Sequence, residues 1–170
     1  LHHAVLGNAS IGVVKELVAR GHLRSLRNAD GERPVDLAER LERTHLIPWL
    51  EPVLKHSVPE KKLAALETQF HELIRKDSAG REHDDLRLPA LEVLLERDDL
   101  LMTFQIPWKW GGFVYRLHKV PFPNGMWATR DDWLLLLRGF ERMGEGSERW
   151  YVITDFGSLL MKVDDDDVIF

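Results

Sequence analysis

The sequence predicts an α+β protein: repeated helical units in the first third, then a connector helix, then a mainly antiparallel β-sheet domain. Two observations carry this prediction. Apolar residues recur at helical spacing as far as about residue 96, and they alternate with period two from Leu100 onward. A third observation bounds the class. The 170 residues include no cysteine, which excludes a disulfide scaffold, a thiolate zinc site and a cysteine nucleophile. The expected segments are helical units over 1–54, a linker and amphipathic helix over 55–87, and a helix plus antiparallel sheet over 88–170.

The first elements repeat. Leu1-His2-His3-Ala4 aligns with Val35-Asp36-Leu37-Ala38 at an offset of 34. Between Val13 and Arg20, the residues Val13, Val14, Leu17 and Val18 form one face of a helix. Gly21 follows as its left-handed cap. Asn28-Ala29-Asp30-Gly31 is turn chemistry. Pro34 suits the first turn of the next helix, which Leu37, Ala38 and Leu41 continue. A final helix is predicted from Leu46 to Leu54, with Pro48 in its first turn.

These residues resemble ankyrin repeats. Leu1-His2-His3-Ala4 matches the middle of that family's first-helix motif, with Gly7-Asn8 where Gly-His is usual. Val13 to Gly21 matches the second helix and its cap, and Asn28 to Ala38 opens the next unit. Two motif positions are substituted, Arg33 for the turn-bracing Thr and Asp36 for the motif His, and Ala9-Ser10-Ile11-Gly12 lengthens the link between helices. The resemblance covers about a third of the chain. It implies that His2 braces a turn by hydrogen bonding and that the turn tips contact a partner protein. Arrays of this kind need about three units, because each buries its apolar face only against a neighbour. Upstream repeats before Leu1 and a capping role for the downstream domain are therefore both expected. Removing 59–170 is expected to leave the repeats insoluble or molten.

Pro59-Glu60 reads as a helix start. Leu63, Leu66, Phe70, Leu73 and Ile74 continue an amphipathic helix to about Lys76. Residues 77–87 read as a loop, and Pro89 to about Glu96 as a short helix. Met102, Phe104 and Ile106 then alternate with polar residues, as do Phe113, Tyr115 and Leu117 with Arg116 and His118. The stretch from Trp133 to Met143 begins apolar on both faces and is predicted to be central. Arg149 to Thr154 and Ser158 to Val163 complete five strands. Pro107-Trp108-Lys109-Trp110-Gly111-Gly112-Phe113 resembles a Pro-x-x-aromatic-Gly-Gly-Phe pattern of small bacterial domains, which implies a family and not an activity.

Function is read from what the sequence offers and omits. The formal charge of −5 argues against a nucleic-acid binder, which needs a basic patch. Residues 1–55 hold 8 basic and 7 acidic residues (+1), and 56–170 hold 15 and 21 (−6). No apolar run approaches the ~20 residues of a membrane helix; the longest is 133–137. No basic-then-apolar leader is visible in the sequence, and a cytoplasmic protein is predicted. There is no Gly-x-Gly-x-x-Gly, Walker loop, His-Glu-x-x-His or Gly-x-Ser-x-Gly, so no cofactor, metal or catalytic residue is assigned. Asp164 to Asp167 and His83-Asp84-Asp85 lack metal-loop spacing and are expected to be solvated.

Protein binding is left as the predicted function. The predicted contact residues are Arg24, Arg27, Asn28, Asp30, Glu32 and Arg33, with a second surface at Trp108 and Trp110. The partner is another protein, not nucleic acid and not a membrane. Two alternatives stand beside it. One is an antitoxin or immunity-type inhibitor whose acidity covers a basic site. The other is a small hydrolase using His118 with Asp131 or Asp155.

Overall fold

A computed structural model describes residues 1–77, 86–106, 111–120, 132–141 and 149–161. The fold is α+β: five α-helices and a short 3₁₀ turn among the described residues, with a five-stranded antiparallel sheet. The chain divides into two compact units. The first is Leu1–Ser57 with Leu95–Asp98, and the second is Val58–Leu94 with Asp99–Phe170. This division differs from the predicted segments in two ways: helix 60–77 lies in the sheet unit, and four residues beyond it return to the first unit.

The first unit holds α1 (His2–Leu6), α2 (Ile11–Ala19), α3 (Pro34–Arg40) and α4 (Ile47–Leu50). α1 packs on α3 and α2 on α4. Val5, Val14, Val35, Leu37, Ala38, Leu46 and Leu50 make the core, with Leu1, Ala4, Leu41 and Ile47 against it. Of the expected α2 face, Val14 is buried and Leu17 and Val18 are half-buried, while Val13 lies at the edge of the stripe and stays exposed. Gly21 takes the left-handed φ of +86° expected of a helix cap. The final helix is one turn, not the nine residues predicted. Glu51 leaves helical geometry with ψ 126°, as the residue before Pro52 is driven to do.

The returning residues are held by polar contacts. The Lys55 and His56 backbone N–H groups donate to the Leu95 carbonyl at 2.7 and 3.3 Å. His56 Nε2 donates to the Arg97 carbonyl at 3.0 Å, and Lys55 Nζ pairs with Asp98 at 2.7 Å. The Glu96 carboxylate accepts the backbone N–H groups of Arg24 and Ser25.

In the second unit, α5 runs from Glu60 to Asp77 and buries Leu66, Phe70, Leu73 and Ile74. Glu67 and His71 share one face of α5. Glu67 accepts the Leu91 backbone N–H at 2.6 Å, and His71 Nε2 donates to the Pro89 carbonyl at 2.9 Å. These two contacts hold the start of the 3₁₀ turn at Leu91–Glu96, where a short helix was predicted from Pro89.

The strands are β1 (Leu101–Ile106), β2 (Gly111–Val120), β3 (Asp132–Glu141), β4 (Arg149–Thr154) and β5 (Gly157–Met161), in that spatial order. β3 is central, as its two-faced apolar start requires. Phe113, Tyr115, Leu117, Trp133, Leu135, Leu137 and Ile153 form the buried face. α5 covers it: the Phe70 ring lies 4.9 Å from Tyr115 and edge-on to Phe113 at 6.2 Å. Gly112 is set by close approach, since a Cβ there would stand 2.1 Å from the Phe104 carbonyl oxygen.

Candidate functional site: the Asn28–Arg33 turn

The turn before α3 is built almost entirely from its own residues. Asn28 Oδ1 accepts the backbone N–H groups of Asp30 (3.0 Å) and Glu32 (2.8 Å). The Asn28 N–H donates to the Glu32 carbonyl at 2.8 Å, and the Gly31 N–H to the Asn28 carbonyl at 3.1 Å. Gly31 supplies a φ of +79°, which side chains with a Cβ resist. An Asn followed by Gly three residues on is the sequence origin of this loop, because the Asn side chain substitutes for a backbone partner.

Two acidic side chains brace the flanks. Glu32 is gripped by Arg40 through Nε at 2.6 Å and Nη2 at 3.0 Å, and by Asn28 Nδ2 at 3.1 Å. These hydrogen bonds, Arg40 first, hold the Glu32 carboxyl below its ordinary pKa and raise that of the Arg40 guanidinium. Asp36 accepts the Arg33 backbone N–H at 2.8 Å and the Arg33 guanidinium through Nε and Nη2, each at 3.2 Å. The Arg33 side-chain hydrogen bond is the main cause of a lowered Asp36 pKa. The two substituted motif residues are thus each other's partners. His2 Nε2 lies 2.9 Å from the Glu32 carbonyl oxygen. That oxygen only accepts, so Nε2 carries the proton.

This bracing sorts the predicted contact residues. Asn28, Glu32 and Arg33 spend their side chains inside the turn. Arg24 is half-buried, and its Nη1 donates to the Glu51 carbonyl at 3.3 Å. Arg27 and Asp30 are exposed at the tip, Arg27 with Nη1 on the Gly31 carbonyl at 2.9 Å. Leu26, absent from the predicted set, is 50% exposed beside them. Its signal was present in the sequence: a leucine set among Arg24, Arg27 and Asn28, outside any helical stripe.

Trp108 and Trp110 lie outside the described residues, as do Asp131, His83-Asp84-Asp85 and Asp164 to Asp167. Of the residues named for a hydrolase, the described pair His118 and Asp155 is not brought together. His118 belongs to the sheet face opposite Tyr115 and Leu117, away from α5. The Asp155 carboxylate is engaged by Lys62 of α5 at 2.8 Å. Among the described residues, no group of three or more His, Asp or Glu is placed to hold a metal ion. No helix among them is long and apolar enough to cross a membrane.

No protein-family model matches the sequence, and no curated protein or solved structure matches it either.

Proposed function

We propose that the N-terminal unit is a protein-binding module of ankyrin-repeat type, and that it meets its partner through Leu26, Arg27 and Asp30. The observation that carries this reading is the bracing of the turn. The backbone of 28–32 and the side chains of Asn28, Glu32 and Arg33 are fixed by internal hydrogen bonds. Asp30 is exposed on that fixed loop, and Leu26 and Arg27 are exposed directly before it. A contact loop ordered in advance loses little conformational entropy on binding. An exposed leucine between charges offers an apolar anchor with a polar rim.

Two further observations support the repeat assignment. Helices pack like on like, α1 on α3 and α2 on α4, as stacked two-helix units do. His2 donates to the backbone of the next unit's turn, the bracing expected of the motif histidine.

The test compares capture of partner proteins by the full chain and by a Leu26→Asp/Asp30→Lys variant, with quantitative mass spectrometry. Partners held through the tip are lost from the variant while its thermal melt matches wild type. Equal capture by both proteins overturns the assignment of the tip.

A further inference from the structure

Asp30-Gly31 at the tip of the turn joins two groups that can react with each other. A glycine nitrogen has no neighbouring β-carbon to shield it, and it can reach the carboxyl carbon of an aspartate just before it. Asp30 and Gly31 are both exposed, and nothing stands within 4 Å of the place a Gly31 Cβ would occupy. The nitrogen is nevertheless engaged. The Gly31 N–H donates to the Asn28 carbonyl at 3.1 Å, and the Asp30 N–H to Asn28 Oδ1 at 3.0 Å. On the far side, the Gly31 carbonyl accepts Arg27 Nη1 at 2.9 Å. Two bonds between Asn28 and Glu32, each 2.8 Å, close the loop around the pair. The peptide plane joining Asp30 to Gly31 is thus fixed from both sides.

We propose that Asp30 is a site of spontaneous isomerisation to isoaspartate, and that the Asn28 hydrogen bonds hold the reaction off in the folded protein. The Gly31 nitrogen attacks Asp30 Cγ. An N–Cγ bond forms, and the amide proton and the carboxyl OH leave as water, closing a cyclic imide. Water then adds to the former main-chain carbonyl carbon of Asp30, and its bond to nitrogen breaks. The main chain now runs through Cγ and is one carbon longer, and the former main-chain carbonyl carbon ends as a free carboxylate. Water is lost and regained, so the mass is unchanged and no oxidant or metal enters. The nitrogen attacks only as it gives up its proton, so the bond to the Asn28 carbonyl must open first. In the folded chain that opening is a local fluctuation with its own free-energy cost. The added carbon lies inside the loop closed by Asn28 and Glu32, and it displaces the Glu32 carbonyl from His2. If the tip is the contact surface proposed above, conversion also alters one of its exposed side chains.

The test incubates the full chain for weeks at physiological temperature and mildly acidic pH, folded in buffer and unfolded in guanidinium chloride. Isoaspartate at residue 30 is measured by peptide mapping with electron-transfer fragmentation. The unfolded chain converts, and the folded chain converts about tenfold or more slowly. Asn28→Ala removes the side-chain acceptor of the Asp30 and Glu32 amides, and it moves the folded rate toward the unfolded one. A second measurement needs no variant. As guanidinium is raised below the unfolding transition, conversion in wild type rises together with hydrogen exchange of the Gly31 amide. No conversion in the unfolded chain overturns the site. Equal rates in the folded and unfolded chains, or conversion that does not follow Gly31 exchange, overturn the hold by the turn. None of these readouts involves a partner, so a failure here is distinct from a failure of the capture experiment.

Discussion

The Glu96 carboxylate accepts the backbone N–H of Ser25, a residue 71 positions earlier, while its other oxygen accepts that of Arg24 at 3.1 Å. One side chain thus satisfies two consecutive backbone donors in a segment with no helix or strand of its own. Ser25 is buried, so water cannot replace the bond freely. Glu96→Ala is expected to destabilise the N-terminal unit by about 1–3 kcal/mol. Glu96→Gln, which keeps one acceptor oxygen, should fall between. Hydrogen exchange reads this directly: the Arg24 and Ser25 amides exchange faster in the variants, while amides in β2 and β3 do not change.

Arg33 and Asp36 support a second prediction. Asp36→Ala removes both the acceptor for the Arg33 backbone N–H and the guanidinium partner, at an expected cost of about 1–2 kcal/mol. Arg33→Ala leaves the backbone bond in place and loses only a pair of side chains about one-third exposed, so less than about 1 kcal/mol is expected. Urea unfolding of both single variants and the double variant separates the two contributions. Equal losses in the single variants would show that the backbone bond contributes little.

The same turn predicts an acid dependence. Glu32 and Asp36 have folded pKa values held below their unfolded values by Arg40 and Arg33. Their contribution is therefore present above the unfolded pKa, near pH 4, and is lost as pH falls through the lower folded values. Melting temperature should drop more steeply below about pH 4 in wild type than in Asp36→Asn. Parallel curves contradict the assignment.

Gly112 and Gly12 make a matched pair for a fourth prediction. A methyl group at Gly112 meets the Phe104 carbonyl oxygen at 2.1 Å and the Gln105 Cα at 3.0 Å, both on the neighbouring strand's backbone. Gly112→Ala must force β1 and β2 apart, with an expected loss of about 2–4 kcal/mol or an insoluble product. At Gly12, near the start of α2, the nearest atom to an added Cβ is Ser10 Oγ at 3.8 Å. Gly12→Ala should stabilise the protein by a few tenths to about 1 kcal/mol. Calorimetric melts of the two variants should shift in opposite directions.

The sheet was legible because alternation is a local signal. Phe113, Tyr115 and Leu117 face the core as their spacing requires, and β4 spans Arg149–Thr154 as predicted. The helix at 60–77 was legible for the corresponding reason at period 3.6. What escaped were contacts with no local trace. Nothing around Glu96 or His56 announces a partner dozens of residues away, and so the return of 95–98 to the first unit could not be read. The turn was legible in conformation and less so in use. Asn28, Glu32 and Arg33 look like surface residues in sequence, yet the same polarity that suggested contact lets them satisfy the loop's own donors and acceptors. The short α4 shows local chemistry overriding an apolar run, since Pro52 ends the helix even though Val53 and Leu54 follow.

The return of 95–98 also bears on how the protein is made. Domains tend to fold in order as they leave the ribosome, but here the first unit is not finished when its first 57 residues have emerged. The Leu95 carbonyl, the Glu96 carboxylate and Asp98 arrive only after helix 60–77 has been synthesised. A nascent chain stalled before residue 95 holds the Lys55 and His56 amides and the Arg24–Ser25 segment without their acceptors. The amino-terminal unit is therefore completed after the beginning of the unit that follows it.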